Sequence, residues 1–147
     1  MTIREIQQQI IDEFAVFSDW MDKYEYLIEL GKSLPIIEES GKCDANLIKG
    51  CQSRVWLEAE YRDEKLWFRA DSDAIITKGI ISLLIKVFSG RTPQEILDAD
   101  TNFINEIGLQ DNLSPTRANG LLSMINKIKS YALAYVNGDE YRQPNYR

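Results

Sequence analysis

The spacing of apolar residues predicts helices at both ends of the chain. Apolar side chains recur every three or four positions over residues 3–17 and again over residues 20–34, where Pro35 ends the pattern. Near the C-terminus, Ser114-Pro115 has the residue types that begin a helix, and an apolar stripe follows as far as Tyr135. These three segments therefore account for most of the predicted helix.

A different pattern occupies the middle of the chain. Residues 55–61 and 66–70 alternate between apolar and polar side chains, and a polar pair at 63–64 separates them. This alternation predicts a β-hairpin with one buried face. Residues 74–88 are apolar almost all round, which is typical of a central helix, and residues 71–73 offer side chains to cap it.

Two short helices are predicted between the central and final ones, at residues 92–97 and 102–107. The order of elements predicts a single α+β domain over residues 1–147, a small antiparallel β-sheet with helices packed on one face. Its core is expected to span about residues 3–137, with 138–147 as a loose tail.

Charge and hydropathy narrow the class of protein. The 23 acidic and 17 basic residues give a net charge of -6, which disfavours nucleic-acid binding because phosphates require a basic surface. The most apolar run, residues 80–88, contains Ser82 and Lys86 and is too short to cross a bilayer. The N-terminus does not resemble a signal peptide. These features predict a cytoplasmic protein that meets other proteins and no membrane.

The residue types that are missing exclude several kinds of chemistry. The chain has no histidine, which excludes Ser-His-Asp and Cys-His catalysis within one chain. Its two cysteines, Cys43 and Cys51, cannot by themselves complete a four-cysteine zinc site or hold an iron–sulfur cluster. Nucleotide-binding glycine motifs are also missing. Chemistry must use a thiol, carboxylates or groups from another molecule.

Cys51 is the main candidate for a reactive group. It lies where a predicted loop meets the first strand, and its neighbour Gly50 leaves room for a sulfur atom of another protein. Lys49 and Arg54 would favour a thiolate. A small, buried, unreactive cysteine is the other interpretation of the same residues.

A resemblance favours the reactive interpretation. The cysteine segment, which resembles the cysteine motif of the SufE family, reads Gly50-Cys51-Gln52-Ser53-x-Val55-Trp56. Four further segments, at residues 24–35, 71–79, 89–93 and 113–121, resemble that family in the same order. The resemblance covers about residues 20–131.

The resemblance implies a fold and a function. The fold would be similar to that of IscU-type iron–sulfur scaffold proteins. A pyridoxal-phosphate-dependent cysteine desulfurase of the SufS or CsdA type would form a persulfide. Cys51 would accept its outer sulfur, and the chain would thereby act as an activator of the desulfurase. Cys51 would then pass this sulfur to a SufB-type scaffold for iron–sulfur cluster assembly. The chain itself would need no cofactor and would have no complete active site, because pyridoxal phosphate belongs to the partner.

The resemblance and the position of Cys51 also select supporting residues. The residues expected to support the cysteine loop or partner docking are Gly50, Gln52, Ser53, Arg54, Trp56 and Arg117. For Arg117, a structural salt bridge and a pairing with a desulfurase carboxylate are both consistent with the sequence. Trp56 and Trp67 are expected to pair across the hairpin and cover the Cys51 pocket or a docking patch.

Several interpretations remain open at this stage. An apolar pocket around Cys51 would protect a persulfide and raise the thiol pKa, and docking would then move the cysteine loop outward. Cys43 is either an incidental loop thiol or a partner for a regulatory disulfide with Cys51. An iron–sulfur scaffold and a non-catalytic interaction module are the alternatives to sulfur transfer.

Overall fold

The computed structural model describes residues 1–136 of the 147-residue chain, so the tail predicted at 138–147 lies outside the described residues. The described part contains two strands and six α-helices. In chain order these are α1 (Ile3–Ala15), α2 (Trp20–Gly31), β1 (Val55–Arg62), β2 (Lys65–Ser72), α3 (Ile75–Phe88), α4 (Pro93–Asp98), α5 (Phe103–Glu106) and α6 (Pro115–Tyr135). The predicted α+β class is confirmed: an antiparallel pair of strands with helices packed against it.

The predicted helices form, but α1 and α2 are shorter at their C-terminal ends than the apolar spacing suggested. Thr2 and Glu5 form a capping box that begins α1, and Asp19 accepts a hydrogen bond from the backbone of Asp22 to begin α2. Because Asp19 needs an extended backbone to cap α2, the preceding helix has to end before it. The short helices α4 and α5 fall within or next to their predicted ranges.

The predicted hairpin forms, with its turn at residues 63–64. The two strands pair from Val55↔Ser72 at the open end to Arg62↔Lys65 at the turn. The two turn residues, Asp63 and Glu64, both have positive φ, 56° and 63°, as a two-residue hairpin turn of type I′ requires. The buried apolar residues of the inner face are Val55, Leu57, Leu66, Phe68 and Ala70.

The start of the central helix differs from the prediction. Residues 71–73 were expected to cap α3, but β2 continues to Ser72, and the N-cap is Ala74 without any side-chain hydrogen bond. Asp71 instead forms ion pairs with Lys42 and Lys78 at 2.9 and 3.3 Å. Asp73 binds the backbone of the cysteine loop. The acidic residues at this corner therefore join segments of the chain and do not cap the helix.

The predicted tryptophan pair does not form. The strand register sets Trp56 opposite Asp71 and Trp67 opposite Glu60, so the two indoles are separated along the hairpin. Each ring contacts a cation: Lys42 lies 5.7 Å from the ring centroid of Trp56, and Arg62 lies 4.9 Å from that of Trp67. A period-two pattern gives the face of a strand residue, but the pairing depends on the register.

Helix α3 lies at the centre of the molecule, in contact with α1, α2, α6 and β2. Its approach to α2 is very close, since a Cβ atom at Gly79 would lie 2.2 Å from the carbonyl oxygen of Leu27. Burial of α3 on nearly all sides explains its almost entirely apolar sequence. Within residues 1–136, no helix is both long enough and apolar enough to span a membrane.

Candidate functional site: the Cys51 loop and cavity

The cysteine lies in a loop, residues 49–54, that is closed at its base by the chain on either side. The Ile48 amide donates a hydrogen bond to the Val55 carbonyl at 2.8 Å. Next to it, Leu47 forms a single antiparallel bridge with Trp56. The loop therefore connects two backbone segments that pair with each other.

Gly50 is required by the local packing of this loop. Its φ of +93° is rarely adopted by other residues, and a Cβ atom there would lie 2.4 Å from the Ser123 hydroxyl of α6. The space that the glycine leaves is therefore filled by a residue of the same chain. Gly50 allows the cysteine loop to rest directly against α6.

The Cys51 thiol is half-buried and faces the same helix. Its Sγ atom lies 3.5 Å from the Gly120 carbonyl oxygen, to which the S–H group donates a weak hydrogen bond. A Cβ atom at position 120 would lie 3.4 Å from this sulfur, which is ordinary contact, so the thiol packs beside the backbone of α6 at Gly120. Burial raises the pKa of the Cys51 thiol. The predicted cation effect of Lys49 and Arg54 does not reverse this direction, and both side chains are exposed.

A small cavity of about 60 Å³ adjoins the thiol. It is bounded by the cysteine loop, by the first part of α3 and by the first half of α6. The residues that line it are Cys51, Gln52, Ser53, Thr77, Ile80, Thr116, Arg117, Gly120 and Met124. The cavity places one thiol beside apolar side chains and a few polar groups.

The far end of the loop is held at the corner between β2 and α3. The Arg54 amide donates to the Asp73 carboxylate at 3.0 Å, and the Asp73 amide donates to the Arg54 carbonyl at 3.2 Å. The Ser72 hydroxyl donates to the same carbonyl at 2.8 Å. Three hydrogen bonds therefore fix the backbone three residues after the cysteine, which holds the thiol against α6.

The structure brings some of the predicted supporting residues together around Cys51. Gln52, Ser53 and Arg117 line the cavity, whereas Arg54 contributes backbone bonds at the end of the loop. Trp56 is not among the residues that line this cavity.

The Arg117 side chain is exposed, and its guanidinium donates a hydrogen bond to the Tyr24 hydroxyl. In the described part of the chain, no salt bridge holds this guanidinium. The hydrogen bond to Tyr24 joins the start of α6 to α2, and a cation remains at the rim of the cavity.

Sequence reasoning did not select Thr77, Gly120 and Met124, which also line the cavity. Gly120 lies in one of the segments that resemble the SufE family, so its position was a usable signal. Thr77 is a hydroxyl residue inside a mostly apolar helix, which is a weaker signal.

The second cysteine belongs to a different local structure. Cys43 is the N-cap of a short 3₁₀ turn, Asp44–Asn46, and both cysteines are free thiols. Among residues 1–136, no group of three or more acidic, cysteine or histidine side chains is placed to hold a metal ion.

Fold and site together define a class of protein: a small α+β domain that carries a half-buried thiol on a loop beside a cavity. Sequence comparison identifies the family within this class. The sequence model of the SufE family, described as an Fe-S metabolism associated domain, matches residues 8–132. The chain therefore belongs to the SufE family, and this membership associates it with iron–sulfur metabolism.

Individual relatives agree with the family assignment. An uncharacterized SufE-like protein of Rhizobium meliloti is 43% identical over 129 residues, which cover 84% of this chain and 92% of the relative. One from Synechocystis is 38% identical over 90% of this chain and 84% of its own length. SufE-like protein 1 of Arabidopsis thaliana, named chloroplastic/mitochondrial, is 39% identical over 90% of this chain and 36% of its own length.

The fold also matches a solved structure. The solution structure of a hypothetical protein from Thermus thermophilus superposes with a TM-score of 0.75 and 17% sequence identity. The match covers 90% of this chain and 96% of the other. At this level of identity the likeness concerns the fold.

Proposed function

We propose that Cys51 accepts persulfide sulfur from a pyridoxal-phosphate-dependent cysteine desulfurase and passes it to iron–sulfur cluster assembly. The observation that carries the proposal is a half-buried thiol next to a cavity of about 60 Å³. The cavity adjoins the sulfur directly and so offers space for an outer sulfur atom on Cys51. The desulfurase would be of the SufS or CsdA type, and the acceptor of the SufB type.

The transfer requires a single thiolate from this chain. The Cys51 thiolate attacks the outer sulfur of the desulfurase persulfide, the sulfur–sulfur bond on the desulfurase breaks, and a new one forms on Cys51. The departing desulfurase thiolate takes up the proton that Cys51 released. No net oxidation or reduction occurs, and no base from this chain is needed. A chain without histidine is therefore chemically sufficient.

Burial explains why the partner has to act on the loop. A thiol whose pKa is raised by burial is mostly protonated near neutral pH and reacts slowly. Docking on the desulfurase would have to break the Arg54–Asp73 bonds or lift the loop from α6 before the sulfur can be reached. Arg117, an exposed cation at the rim of the cavity, is suited to pair with a carboxylate of the partner. We place this activity in the cytoplasm.

The test is to incubate the protein with a desulfurase and cysteine and to measure the mass of the Cys51 peptide. We expect a gain of one sulfur atom in the unaltered chain and in Cys43→Ser, and none in Cys51→Ser. Hydrogen exchange of residues 48–54 should also increase when the desulfurase is present. An unchanged mass at Cys51, together with desulfurase turnover that does not respond to Cys51→Ser, would refute sulfur transfer and leave the interaction module as the function.

A further inference from the structure

We propose that the Thr77 hydroxyl donates a hydrogen bond to the outer sulfur of the Cys51 persulfide while this group is held in the cavity. The inference rests on the proposed function, since it concerns the loaded form of Cys51. It assigns a role to the hydroxyl of a buried residue of α3. Thr77 would be a positioning and stabilising residue for the carried sulfur.

The first observation is the environment of the Thr77 side chain. The residue is only 6% exposed and lines the cavity that contains the thiol. Within residues 1–136, the structure gives its hydroxyl no hydrogen-bond partner. Another buried hydroxyl of the same helix, that of Ser82, donates to the Leu30 carbonyl at 2.8 Å. Among the described residues, the fully buried side-chain polar atoms without a partner are Trp20 Nε1 and Asn46 Oδ1, so the Thr77 oxygen is not sealed off. The Thr77 hydroxyl is therefore available to a group that occupies the cavity.

The second observation is the kind of group that the cavity offers to a sulfur atom. The Gly120 carbonyl is an acceptor, which suits the S–H group of the resting thiol but repels a persulfide anion. Ile80 and Met124 are apolar. Among the cavity residues outside the cysteine loop, Thr116 and Arg117 are exposed. Of the cavity side chains that come from α3 and α6, Thr77 is therefore the buried one that can donate a hydrogen bond.

The position of Thr77 in its helix adds to the effect. It is the third residue of α3, where backbone amides still lack carbonyl partners within the helix and the helix dipole favours negative charge. A hydroxyl that donates into the cavity from this turn would stabilise an anionic sulfur more than a neutral one. An outer sulfur in the cavity would also give the Thr77 hydroxyl a hydrogen-bond acceptor.

The experiment loads Cys51 with inorganic polysulfide in a Cys43→Ser background, so no desulfurase takes part. Thr77→Val removes the hydroxyl at nearly constant size, and Thr77→Ser retains it. The pKa of the persulfide is followed by the ultraviolet absorbance of its anion, and sulfide release is followed after addition of dithiothreitol. We expect Thr77→Val to raise the persulfide pKa by about one unit and to speed sulfide release about tenfold. Thr77→Ser should resemble the parent.

If Thr77 had only a structural role, the persulfide pKa would not differ between variants with and without the hydroxyl. Ser82→Ala, which removes a buried hydroxyl elsewhere on α3, is the control and should leave both measurements at the parent values. Thr77→Ala provides a second variant without the hydroxyl if Thr77→Val does not fold. An unchanged pKa and release rate in both hydroxyl-free variants would overturn the inference, as would a change in Thr77→Ser as large as in Thr77→Val. Because the loading is chemical, either outcome is independent of whether a desulfurase uses Cys51.

Discussion

The Asp73 carboxylate restrains the end of the cysteine loop through its 3.0 Å bond to the Arg54 amide. Asp73→Ala removes this bond, and a hydrogen bond of this kind contributes about 1 kcal/mol. The loop should therefore open roughly five times more often. We expect alkylation of Cys51 by iodoacetamide to become about fivefold faster in a Cys43→Ser background, measured by mass spectrometry of the peptide.

The matched control for Asp73 is Asp98→Ala. Asp98 is an exposed carboxylate that accepts a hydrogen bond from Gln94 within α4, away from the cysteine loop. Its removal changes the net charge by the same amount and should leave the alkylation rate of Cys51 unaltered. Equal rates in the two variants would mean that the Asp73 bond does not limit access to the thiol.

At the scale of single residues, the sequence identified the thiol but not the groups that set its environment. Cys51 was recognisable from its motif, which does not include the other thiol, Cys43. Thr77 and Gly120 reach the cavity only because α3 and α6 both pass beside the loop, and this depends on tertiary packing. The same packing buries the sulfur and raises its pKa, whereas the neighbouring cations in the sequence suggested a thiolate.

At the scale of secondary structure, the crossing of α2 and α3 depends on Gly79. A methyl group there would lie 2.2 Å from the Leu27 carbonyl oxygen and 2.7 Å from its carbon, so the two backbones would have to separate. Gly79→Ala gains about 1 kcal/mol of helix propensity, but overpacking against a rigid backbone typically costs about 1–3 kcal/mol or more. We expect a net loss of about 2 kcal/mol in the free energy of unfolding, measured by urea denaturation.

Gly120→Ala is the control for this substitution. It also lies inside a helix, but its added methyl group would meet Cys51 Sγ at 3.4 Å, which is ordinary contact. Its stability should therefore equal or slightly exceed that of the unaltered chain. Gly79→Ala with a stability as high as that of Gly120→Ala would show that the helix crossing tolerates a side chain.

The elements differ in how much of them the sequence could predict. The hairpin was predicted closely because its alternation, its polar turn and its buried face all agree. The beginning of α3 was not, because residues 71–73 have the composition of a helix cap while their backbone and side chains serve strand pairing and ion pairs. The ends of α1 and α2 were overestimated, since apolar periodicity continues into turns that pack on the same core.

At the scale of the whole molecule, one carboxylate joins three parts of the chain. Asp71, in β2, is 8% exposed and forms ion pairs with Lys42, in the segment before the cysteine loop, and with Lys78, in α3. It also accepts a hydrogen bond from the Ser72 amide at 2.8 Å. The described part of the chain has only two paired strands. Asp71 adds a polar connection between the segment before the cysteine loop and helix α3.

The same carboxylate should make stability depend on pH. Burial alone would raise the pKa of Asp71, but hydrogen bonds from Lys42, the Ser72 amide and Lys78 outweigh it and hold that pKa below its ordinary value. The interaction therefore stabilises the folded chain above the unfolded-state pKa of about 3.9 and is lost as the pH falls through the lower folded-state value. Asp71→Asn should reduce the free energy of unfolding by about 2 kcal/mol at pH 7.

The measurement is urea denaturation of both proteins from pH 7 to pH 3. Their free energies of unfolding should converge below about pH 4, because protonation removes the Asp71 charge from the unaltered chain and the substitution has already removed it from the variant. A constant difference across this range would assign the effect of Asp71 to packing and not to its charge.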